Sequence, residues 1–236
     1  MKVLGIIPAR YSSSRFPGKP LVDIAGKSMI QRVYEQAKKC KDLNDVIVAT
    51  DDKRIFNHVK SFKGNVIITS KNHKSGTDRC AEVVKKIGID FDIIINIQGD
   101  EPTINPLQIS SLIDLFNRSK IDIGTLYKKI ENQEEIDDLN IVKIIFDNNN
   151  EAVNFFRKGL NNKLNYFKHI GMYGFNKETI LKITKLPMSH NEKKNGLEQL
   201  RWLDNNYKIK VLETDTENIS IDTLDDLKTL LNKIKF

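Results

Sequence analysis

Cysteine is scarce in this chain, and no apolar run approaches the roughly 18 residues that a membrane helix needs. The two cysteines, Cys40 and Cys80, are too few for a disulfide framework, and no Cys/His spacing typical of a zinc site occurs. The apolar start, Val3 to Pro8, meets Arg10 rather than a small-residue cleavage site, which argues against a signal peptide. We therefore expect a reduced cytoplasmic protein that does not associate with membranes.

The chain also lacks a long basic tail or arm, although it is basic. Its 38 Lys and Arg exceed its 31 Asp and Glu, so the formal net charge is 38 − 31 = +7 over 236 residues. These cations are scattered in short clusters, which is typical of solvated helix faces rather than of a nucleic-acid surface. We expect no nucleic-acid partner, and salt-dependent RNA retention is the measurement that would restore that alternative.

Short apolar runs alternate with amphipathic stretches in the first half of the chain. This alternation predicts βαβ units and a parallel sheet, whose ligands bind beyond the carboxyl ends of the strands. The predicted strands are Val3–Pro8, Val46–Thr50, Val66–Thr69 and Ile93–Ile97. The predicted helices are one capped by Ser28, Asp52–Phe62 ended by Gly64, Thr77–Ile87 ended by Gly88, and Pro106–Phe116.

The pattern changes after about residue 120, where longer and more polar strands predict a mixed or antiparallel extension. The predicted strands there are Ile121–Ile130, Ile141–Asp147, Glu151–Arg157, Phe167–Phe175 and Lys208–Glu213. The predicted helices are Lys177–Lys185, Lys194–Asn205 and Thr223–Lys233. We predict a single α/β domain over residues 1–236, with a substrate or dimer lobe at about 120–175.

The loop after the first strand combines cations with hydroxyl groups. Arg10, Arg15 and Lys19 surround three consecutive serines and Gly18. Arg and Lys suit phosphate oxygens, and the backbone of such a loop can form an anion nest. An ordinary basic surface loop explains the composition equally well. No phosphate-loop or dinucleotide fingerprint occurs, since Leu21 stands where the first needs glycine.

Polar residues follow the next two strands as well. Asp51 and Asp52 could contact a ribose or a metal, although capping the following helix is the better-supported interpretation. The turn from His73 to Arg79, centred on Gly76, could present N–H groups to an anion or could simply begin a helix.

Two separated acids complete the pattern. Asp100 follows the fourth strand behind Gly99, where a hard cation such as Mg²⁺ would find carboxylate oxygens shared with phosphates. Asp222 precedes the last helix, where capping by Asp222 or Thr223 is equally compatible with the sequence. Spacing alone does not show that both acids hold one ion.

The chain resembles the 3-deoxy-manno-octulosonate (Kdo) cytidylyltransferases in seven ordered motifs from about residue 4 to 228. The motifs are Ile7-Pro8-Ala9-Arg10-Tyr11-x-Ser13-x-Arg15-Phe16-Pro17-Gly18-Lys19-Pro20-Leu21, Val48-Ala49-Thr50-Asp51-Asp52, His73-x-Ser75-Gly76-Thr77-Asp78-Arg79, Asn96-x-Gln98-Gly99-Asp100-Glu101-Pro102, His169-Ile170-Gly171-x-Tyr173, Leu197-Glu198-Gln199-Leu200-Arg201 and Ile221-Asp222-Thr223-x-Asp225-Asp226-Leu227.

This resemblance implies a Rossmann-like nucleotidyltransferase fold, with a mixed, mainly parallel sheet and a small β-rich lobe that forms a homodimer. It implies Mg²⁺-dependent transfer of CMP from CTP to Kdo, with release of diphosphate, in lipopolysaccharide biosynthesis. The implied catalytic residues are Lys19, Asp100 and Asp222, of which the two acids hold Mg²⁺. The implied nucleotide-binding residues are Arg10, Ser13, Arg15, Lys19 and Thr77, and the implied sugar-acid residues are Arg79, Gln98, Arg157, His169, Glu198 and Gln199.

Departures from the family pattern cluster where the family resemblance implies that the sugar binds. No proline follows Arg157, Ser220 replaces a usual glycine, Leu224 replaces a usual proline, and Pro187–His190 also differs. Alternatives are therefore a cytidylyltransferase for a related 2-keto sugar acid, such as 8-amino-Kdo or a nonulosonate, or a non-catalytic nucleotide-sugar-binding protein. The loop typical of sialic-type enzymes is absent, because Arg15 and Pro20 stand in its place.

Overall fold

The computed structural model describes residues 1–12, 16–158, 166–216 and 218–233. The chain forms two compact units. The first takes in Met1–Ser110 and Asn218–Phe236, and the second takes in Ser111–Glu217. The second unit thus begins before, and ends after, the lobe that the sequence predicts at about 120–175. The prediction of a single domain remains a prediction.

The first unit contains the predicted parallel sheet. Its strands are β1 (Val3–Ala9), β4 (Asp45–Thr50), β5 (Val66–Ile68) and β6 (Ile93–Asn96). They lie in the order β6–β1–β4–β5. Ile6 at the centre of β1 is in register with Ile47 on one side and Asn96 on the other. The apolar residues of β1, β4 and β6 are buried, as expected for strands of a parallel sheet covered on both faces. The prediction of βαβ units is confirmed.

The helices of this unit begin where the sequence supplies caps. They are α1 (Met29–Lys38), α2 (Lys53–Ser61), α3 (Gly76–Lys86), α4 (Pro106–Arg118), which begins in this unit, and α9 (Leu224–Lys233). The side chain of Ser28 accepts from the N–H of Gln31, and Asp52 accepts from the N–H of Arg54. Each cap satisfies a backbone donor that the first helical turn leaves free. Capping by Ser28 and by Asp52 is therefore confirmed.

The second unit has a mixed sheet. Its strands are β7 (Ile123–Lys129), β8 (Lys143–Phe146), β9 (Ala152–Phe156), β10 (Phe167–Asn176) and β11 (Ile209–Glu213). Strand β7 pairs antiparallel with β10 and parallel with β11, while β8 pairs antiparallel with both β9 and β10. The helices are α5 (Gln133–Asp137), α6 (Lys177–Ile183), α7 (His190–Asn195) and α8 (Gln199–Asp204). The predicted mixed extension is confirmed.

One predicted helix is wrong. The sequence predicts a continuous helix over Lys194–Asn205, but α7 ends at Asn195 and α8 begins at Gln199. A capping box between Ser189 and Glu192 starts α7 earlier, and Gly196 ends it in the left-handed region at φ 64°. Glycine adopts this conformation without the steric cost that a Cβ imposes, so the chain leaves the helix there.

Several short features are absent from the sequence-based prediction, among them helix α5 and a two-stranded hairpin. Residues Asp23–Ile24 and Lys27–Ser28 form a hairpin, β2 and β3, whose turn places Ala25 at φ 48° and Gly26 at φ 82°. After α2, the left-handed residue is Lys63 at φ 61°, one position before the predicted helix-ending glycine, Gly64.

Among the described residues, no helix combines the length and the apolar character needed to cross a membrane.

Candidate active site

A left-handed glycine turns the chain after β1 and sets the position of Lys19. Gly18 lies at φ 74°, and its N–H donates to the carbonyl of Tyr11 at 2.9 Å. A Cβ on Gly18 would lie 3.1 Å from the Tyr11 ring, so glycine meets both the conformational and the packing requirement. Lys19 then opens a single 3-10 turn, Lys19–Leu21.

A second glycine allows the segment after β6 to approach β1. A Cβ on Gly99 would lie 2.8 Å from the carbonyl oxygen of Pro8, a contact that the backbone could not accommodate without shifting. The neighbouring residue, Asp100, is therefore delivered at the carboxyl end of the parallel sheet, where ligands of such sheets bind.

The acid near the C-terminus is available to the site because its neighbours cap α9. The N–H groups of Asp222 and Thr223 both donate to the Asp226 carboxylate, and the Asp226 N–H donates back to the Thr223 hydroxyl at 3.2 Å. Thr223 rather than Asp222 is thus the cap. The N–H of Ile221 donates to the carbonyl of Asp100 at 2.9 Å, which fixes the two acidic segments side by side.

Lys19 joins the two acids. Its Nζ donates to Asp100 Oδ2 at 2.8 Å and to Asp222 Oδ1 at 3.0 Å, across 81 and 203 positions of sequence. The Lys19 side chain is 13% exposed. Within the described residues, no group of three or more His, Cys, Asp or Glu side chains is arranged to hold a metal ion. A cation at this point therefore has two carboxylates and must take its other ligands from elsewhere.

These three side chains line a pocket of about 270 Å³ at the carboxyl end of the first unit's sheet. Of the predicted site residues, Arg10, Arg79 and Gln98 also line it, together with residues that the prediction did not assign to the site, notably His73 and Lys74. Their signal is the His73–Arg79 motif, whose pattern indicates an anion-binding turn. Of the other predicted nucleotide-binding residues, Thr77 is buried in α3 and is not among the lining residues, and Ser13 and Arg15 lie outside the described residues.

Arg79 is a buried cation with several protein partners. Its guanidinium donates to the Thr69 hydroxyl, to the carbonyl of Ser70 at 3.3 Å and to Asp51 Oδ2 at 3.1 Å. It thereby ties the chain after β4 and β5 to α3. Asp51, for which the sequence allows a ribose or metal ligand, is in contact with this guanidinium.

The next acid is also paired with an arginine. Hydrogen bonds from the Arg54 side chain, opposed by partial desolvation, lower the pKa of Asp52 to about 2. The Arg54 guanidinium lies over the Tyr11 ring, 3.3 Å from its centroid, a cation–π contact. This contact joins the loop after β1 to the start of α2.

Glu82 on α3 holds the loop that carries His73 and Lys74. It accepts hydrogen bonds from the N–H of Ser70 at 2.8 Å, from His73 Nε2 and from Lys86 Nζ. Desolvation opposes ionisation of Glu82, but these donors outweigh it and lower its pKa to about 2. The carboxylate stays charged, which keeps this side of the pocket in place.

Behind Asp100 lies a buried polar cluster. Asn218 Nδ2 donates to Glu101 Oε2 at 2.7 Å and to Gln108 Oε1 at 2.6 Å. Burial and the nearby charge of Asp100 raise the pKa of Glu101 to about 7, against the effect of the Asn218 hydrogen bond. The cluster connects the segment before Asp222 to the segment after Asp100.

The second unit has its own polar cluster around β10. His169 Nε2 lies 3.0 Å from the Thr125 hydroxyl, and its ring lies 5.3 Å from that of Tyr173. Desolvation lowers the pKa of His169 to about 3, so the ring is neutral at pH 7, although the residue retains some exposure to solvent. The Tyr173 hydroxyl is buried without a hydrogen-bond partner among the described residues, and burial and the Glu198 charge raise its pKa.

Tyr173 is thus a candidate site residue that belongs to one of the seven motifs but that the sequence does not assign to the site. The predicted Glu198 immediately precedes α8, and the predicted Gln199 is the first residue of that helix and is buried. The signal that marks Tyr173 is a buried hydroxyl that no other described residue hydrogen-bonds, which only the structure reveals.

Arg157 follows β9, and its position is set by backbone carbonyls. Its Nη1 donates to the carbonyls of Leu139 and Asn140, each at 3.1 Å. The fully buried Lys143 donates through Nζ to the Arg157 carbonyl at 2.9 Å and also contacts the Asp138 carbonyl. Burial lowers the pKa of Lys143. The Arg157 side chain is exposed and oriented by this arrangement.

The pocket of the first unit presents cations around a pair of acids, an arrangement suited to a metal-bound polyphosphate. The cytidylyltransferase family model matches residues 4–210. The chain belongs to the cytidylyltransferase family. It is 48% identical to the 3-deoxy-manno-octulosonate cytidylyltransferase of Parabacteroides distasonis, over 98% of this chain and 97% of the relative. It is also 48% identical to the enzyme of the same name from Fusobacterium nucleatum, over 100% and 98%.

Another relative differs in its named sugar. The 8-amino-3,8-dideoxy-manno-octulosonate cytidylyltransferase of Shewanella pealeana is 44% identical, over 97% of this chain and 96% of that cytidylyltransferase. The seven motifs indicate membership of the Kdo cytidylyltransferase family, and the relatives from Parabacteroides distasonis and Fusobacterium nucleatum confirm it.

A solved structure supports the same assignment. A CMP:2-keto-3-deoxy-manno-octonic acid synthetase complexed with CTP has a TM-score of 0.92 and 37% identity to this cytidylyltransferase, over 98% of both chains. The predicted nucleotidyltransferase fold class is confirmed.

Proposed function

We propose that this protein transfers CMP from CTP to Kdo and releases diphosphate. The observation that carries the proposal is the convergence of Asp100 and Asp222 on one ammonium group, in a chain whose 48%-identical relatives bear that name. Two carboxylates at the carboxyl end of a parallel sheet, with cations around them, are suited to bind and neutralise a nucleoside triphosphate.

We assign the triphosphate to the cations of the first unit's pocket. Arg10 and Lys74 are exposed at its surface, and Lys19 lies deeper. A triphosphate carries about four negative charges, and such donors offset charge on the nonbridging oxygens as the bond to the leaving group lengthens. The predicted roles of Ser13 and Arg15 belong to the same loop.

We propose that Asp100 and Asp222 hold Mg²⁺. The donor set fits, because a hard cation prefers carboxylate oxygens and because both acids already converge on a positive group. With only two protein carboxylates, the remaining ligands would come from substrate oxygens and water. When bound, the ion would neutralise phosphate charge and lower the pKa of the attacking hydroxyl, which removes the need for a dedicated general base.

We assign recognition of the sugar acid to Arg79, Gln98, Arg157, His169, Glu198 and Gln199, as the motif resemblance implies. Neutral His169 can donate or accept a hydrogen bond, and the exposed Arg157 guanidinium suits a carboxylate. In the reaction, the anomeric oxygen of the sugar forms a bond to the α-phosphorus. The bond between the α-phosphorus and the oxygen that bridges it to the β-phosphorus breaks, and diphosphate leaves. The proton of the anomeric hydroxyl passes to water. The protein mainly positions and neutralises.

The experiment measures diphosphate release from each of the four ribonucleoside triphosphates, with Mg²⁺ and a panel of 2-keto sugar acids. We expect turnover with CTP and Kdo. Asp100→Asn and Asp222→Asn should each lose orders of magnitude in turnover while retaining the fold, as measured by circular dichroism. Diphosphate release near the unsubstituted level in either variant would contradict the metal-binding role. Absence of turnover with every sugar acid would favour a non-catalytic nucleotide-sugar-binding protein.

The second candidate substrate is 8-amino-Kdo. The Shewanella relative that carries this substrate in its name is nearly as similar as the Kdo relatives, and the departures near Arg157 and Pro187–His190 lie where the sugar is expected to bind. The ratio of kcat/KM for the two sugars decides between them.

The family resemblance further supports a homodimer acting in the cytoplasm, where CTP is supplied. Light scattering coupled to size-exclusion chromatography tests the oligomeric state.

A further inference from the structure

The Lys19 ammonium occupies the position between the two acids that a metal ion would be expected to take. It donates to Asp100 at 2.8 Å and to Asp222 at 3.0 Å, and its side chain is 13% exposed, whereas those of the acids are 27% and 40% exposed. The Lys19 side chain is thus the least exposed of the three. It bears one positive charge against two negative ones.

This arrangement stabilises the two acids near each other. The Ile221 N–H donates to the Asp100 carbonyl, and the Asp226 carboxylate caps α9. These contacts bring the acidic segments together and do not involve Lys19. Two carboxylates so placed repel one another, and a cation between them relieves the repulsion. The lysine stem has four rotatable bonds, so the ammonium can leave without backbone movement.

We propose that Lys19 is an exchangeable counter-ion: its ammonium holds Asp100 and Asp222 together in the nucleotide-free protein, and gives way when a divalent cation arrives with the nucleoside triphosphate. The inference rests on the proposed function for the identity of the nucleotide. Freed from the acids, Lys19 is available to the triphosphate, so one side chain serves the empty and the loaded site in turn.

Two consequences follow from this exchange. A divalent cation that binds alone must displace an ammonium from both acids, so the nucleotide-free protein binds it weakly. A triphosphate offers the displaced ammonium a new partner and supplies oxygen ligands, so metal and nucleotide strengthen each other's binding by the same factor. The exchange replaces one positive charge between the acids with two, and the arriving triphosphate offsets the increase; no proton moves and no covalent bond changes.

The test titrates the nucleotide-free protein with Mn²⁺ and follows free Mn²⁺ by electron paramagnetic resonance. Lys19→Met removes the charge and keeps most of the side-chain volume. We expect the variant to bind Mn²⁺ about tenfold more tightly than the unsubstituted protein, because removal of a positive charge in contact with both acids favours another cation. Lys19→Arg should remain close to the unsubstituted protein.

Lys27→Met is the matched control. Lys27 lies in the same unit and contacts a single acid, Glu35, at 2.6 Å, in an exposed pair. The same loss of net charge should leave Mn²⁺ affinity within about twofold, since exposed charges are well screened. A double variant, Lys19→Met with Asp222→Asn, should lose the gain and thereby locate the bound ion.

Thermal unfolding supplies a second readout that requires no substrate. We expect Lys19→Met to have a lower Tm than the unsubstituted protein, because the variant loses the positive charge that both carboxylates now contact. Millimolar Mn²⁺ or Mg²⁺ should restore most of this Tm, and should raise the Tm of the unsubstituted protein much less. If Lys19→Met does not fold, Lys19→Gln removes the charge while retaining a hydrogen-bond donor.

Equal or weaker Mn²⁺ binding by the neutral Lys19 variants would overturn the inference, as would a gain of the same size in Lys27→Met. These outcomes are independent of catalysis. If CTP and Kdo give no diphosphate but neutral Lys19 variants bind Mn²⁺ more tightly, the proposed function fails and the counter-ion role stands.

Discussion

Asn218 and Glu101 are 117 positions apart in sequence, and Asn218 Nδ2 donates to Glu101 Oε2 at 2.7 Å. The same amide donates to Gln108 Oε1 at 2.6 Å. One short side chain therefore links the segment that precedes Asp222 to the segment that follows Asp100. This link and the backbone hydrogen bond of Ile221 both connect the segments that carry the two site acids.

Removal of the Asn218 amide should affect stability and metal dependence together. Asn218→Ala removes the amide that donates to both Glu101 and Gln108, and loss of a buried hydrogen-bond partner typically costs about 1–3 kcal/mol of unfolding free energy. Because Asp222 is then less firmly positioned, we also expect the Mg²⁺ concentration for half-maximal turnover to rise severalfold. Urea unfolding and a Mg²⁺ titration of diphosphate release measure the two effects.

Asn191→Ala is the control for this change. Asn191 is exposed and donates to Asp204 Oδ1 at 2.8 Å in the second unit, so its loss should cost less than about 0.5 kcal/mol and leave the Mg²⁺ titration unchanged. An Asn218→Ala enzyme with the ordinary Mg²⁺ requirement would show that the amide stabilises the fold without positioning Asp222.

Gly99→Ala should damage the site through its backbone. The added Cβ would lie 2.8 Å from the Pro8 carbonyl oxygen, so the chain that delivers Asp100 must move. We expect a fall in kcat of at least about a hundredfold, because a displacement of about 1 Å in a catalytic group can cost that much. Steady-state kinetics and a melting curve separate this effect from unfolding.

Gly88→Ala makes the same chemical change at an exposed position where a Cβ would meet nothing within 4 Å. It should leave kcat unchanged and should not destabilise the protein. If Gly99→Ala is as active as Gly88→Ala, then the close approach to Pro8 is not required for placing Asp100.

The positions of Lys19 and Asp100 in the site can be predicted from the sequence for a physical reason. Parallel strands end at one edge of a sheet, so the alternation of strands and helices is enough to place Lys19 and Asp100, which follow β1 and β6, near each other. Asp222 has no such local signal, because a position 203 residues from Lys19 is brought into contact only by tertiary packing. Its assignment depends on motif resemblance.

Helix boundaries show a similar limit. The apolar and charged pattern over Lys194–Asn205 is compatible with one helix, and the break at Gly196 depends on whether that glycine is left-handed. A glycine with helical dihedral angles is tolerated inside a helix at modest cost, so the sequence alone does not decide whether the helix breaks at Gly196. The Tyr173 hydroxyl, which has no hydrogen-bond partner in the described part of the chain, is likewise a property of packing that no sequence pattern reports.

Removing one partner of the buried ion pair between α7 and α8 should destabilise the second unit. Arg201 donates to both carboxylate oxygens of Glu192, at 2.6 and 2.7 Å, and the two side chains are 8% and 7% exposed. Arg201→Met leaves a buried carboxylate without its counter-ion, which typically costs about 3–5 kcal/mol. We expect a lower midpoint of urea unfolding.

The double variant, Arg201→Met with Glu192→Leu, should recover much of that loss, because neither charge remains buried. Lys228→Ala breaks the exposed pair with Asp225 and should change the unfolding free energy by less than about 1 kcal/mol. A double variant no more stable than Arg201→Met would refute the charge-burial explanation.

His169 should make the protein sensitive to mild acid. Its folded-state pKa is lowered by desolvation to about 3, from an ordinary value near 6.5. Between these two values the unfolded chain binds a proton that the folded protein rejects, so the contribution of His169 to stability is complete above about pH 6.5 and is lost progressively as the pH falls toward 3. At pH 5 the loss should be roughly 1–2 kcal/mol.

Comparison with His169→Gln isolates this contribution from that of the acids. The glutamine side chain can bond to the Thr125 hydroxyl, the present partner of His169 Nε2, but does not titrate. Urea unfolding at pH 7.5 and at pH 5 should show a smaller decrease in stability for the variant than for the unsubstituted protein, by that same roughly 1–2 kcal/mol. Equal decreases would mean that the folded protein accepts the proton on His169, and the neutral imidazole assigned to the sugar-acid site would then be wrong.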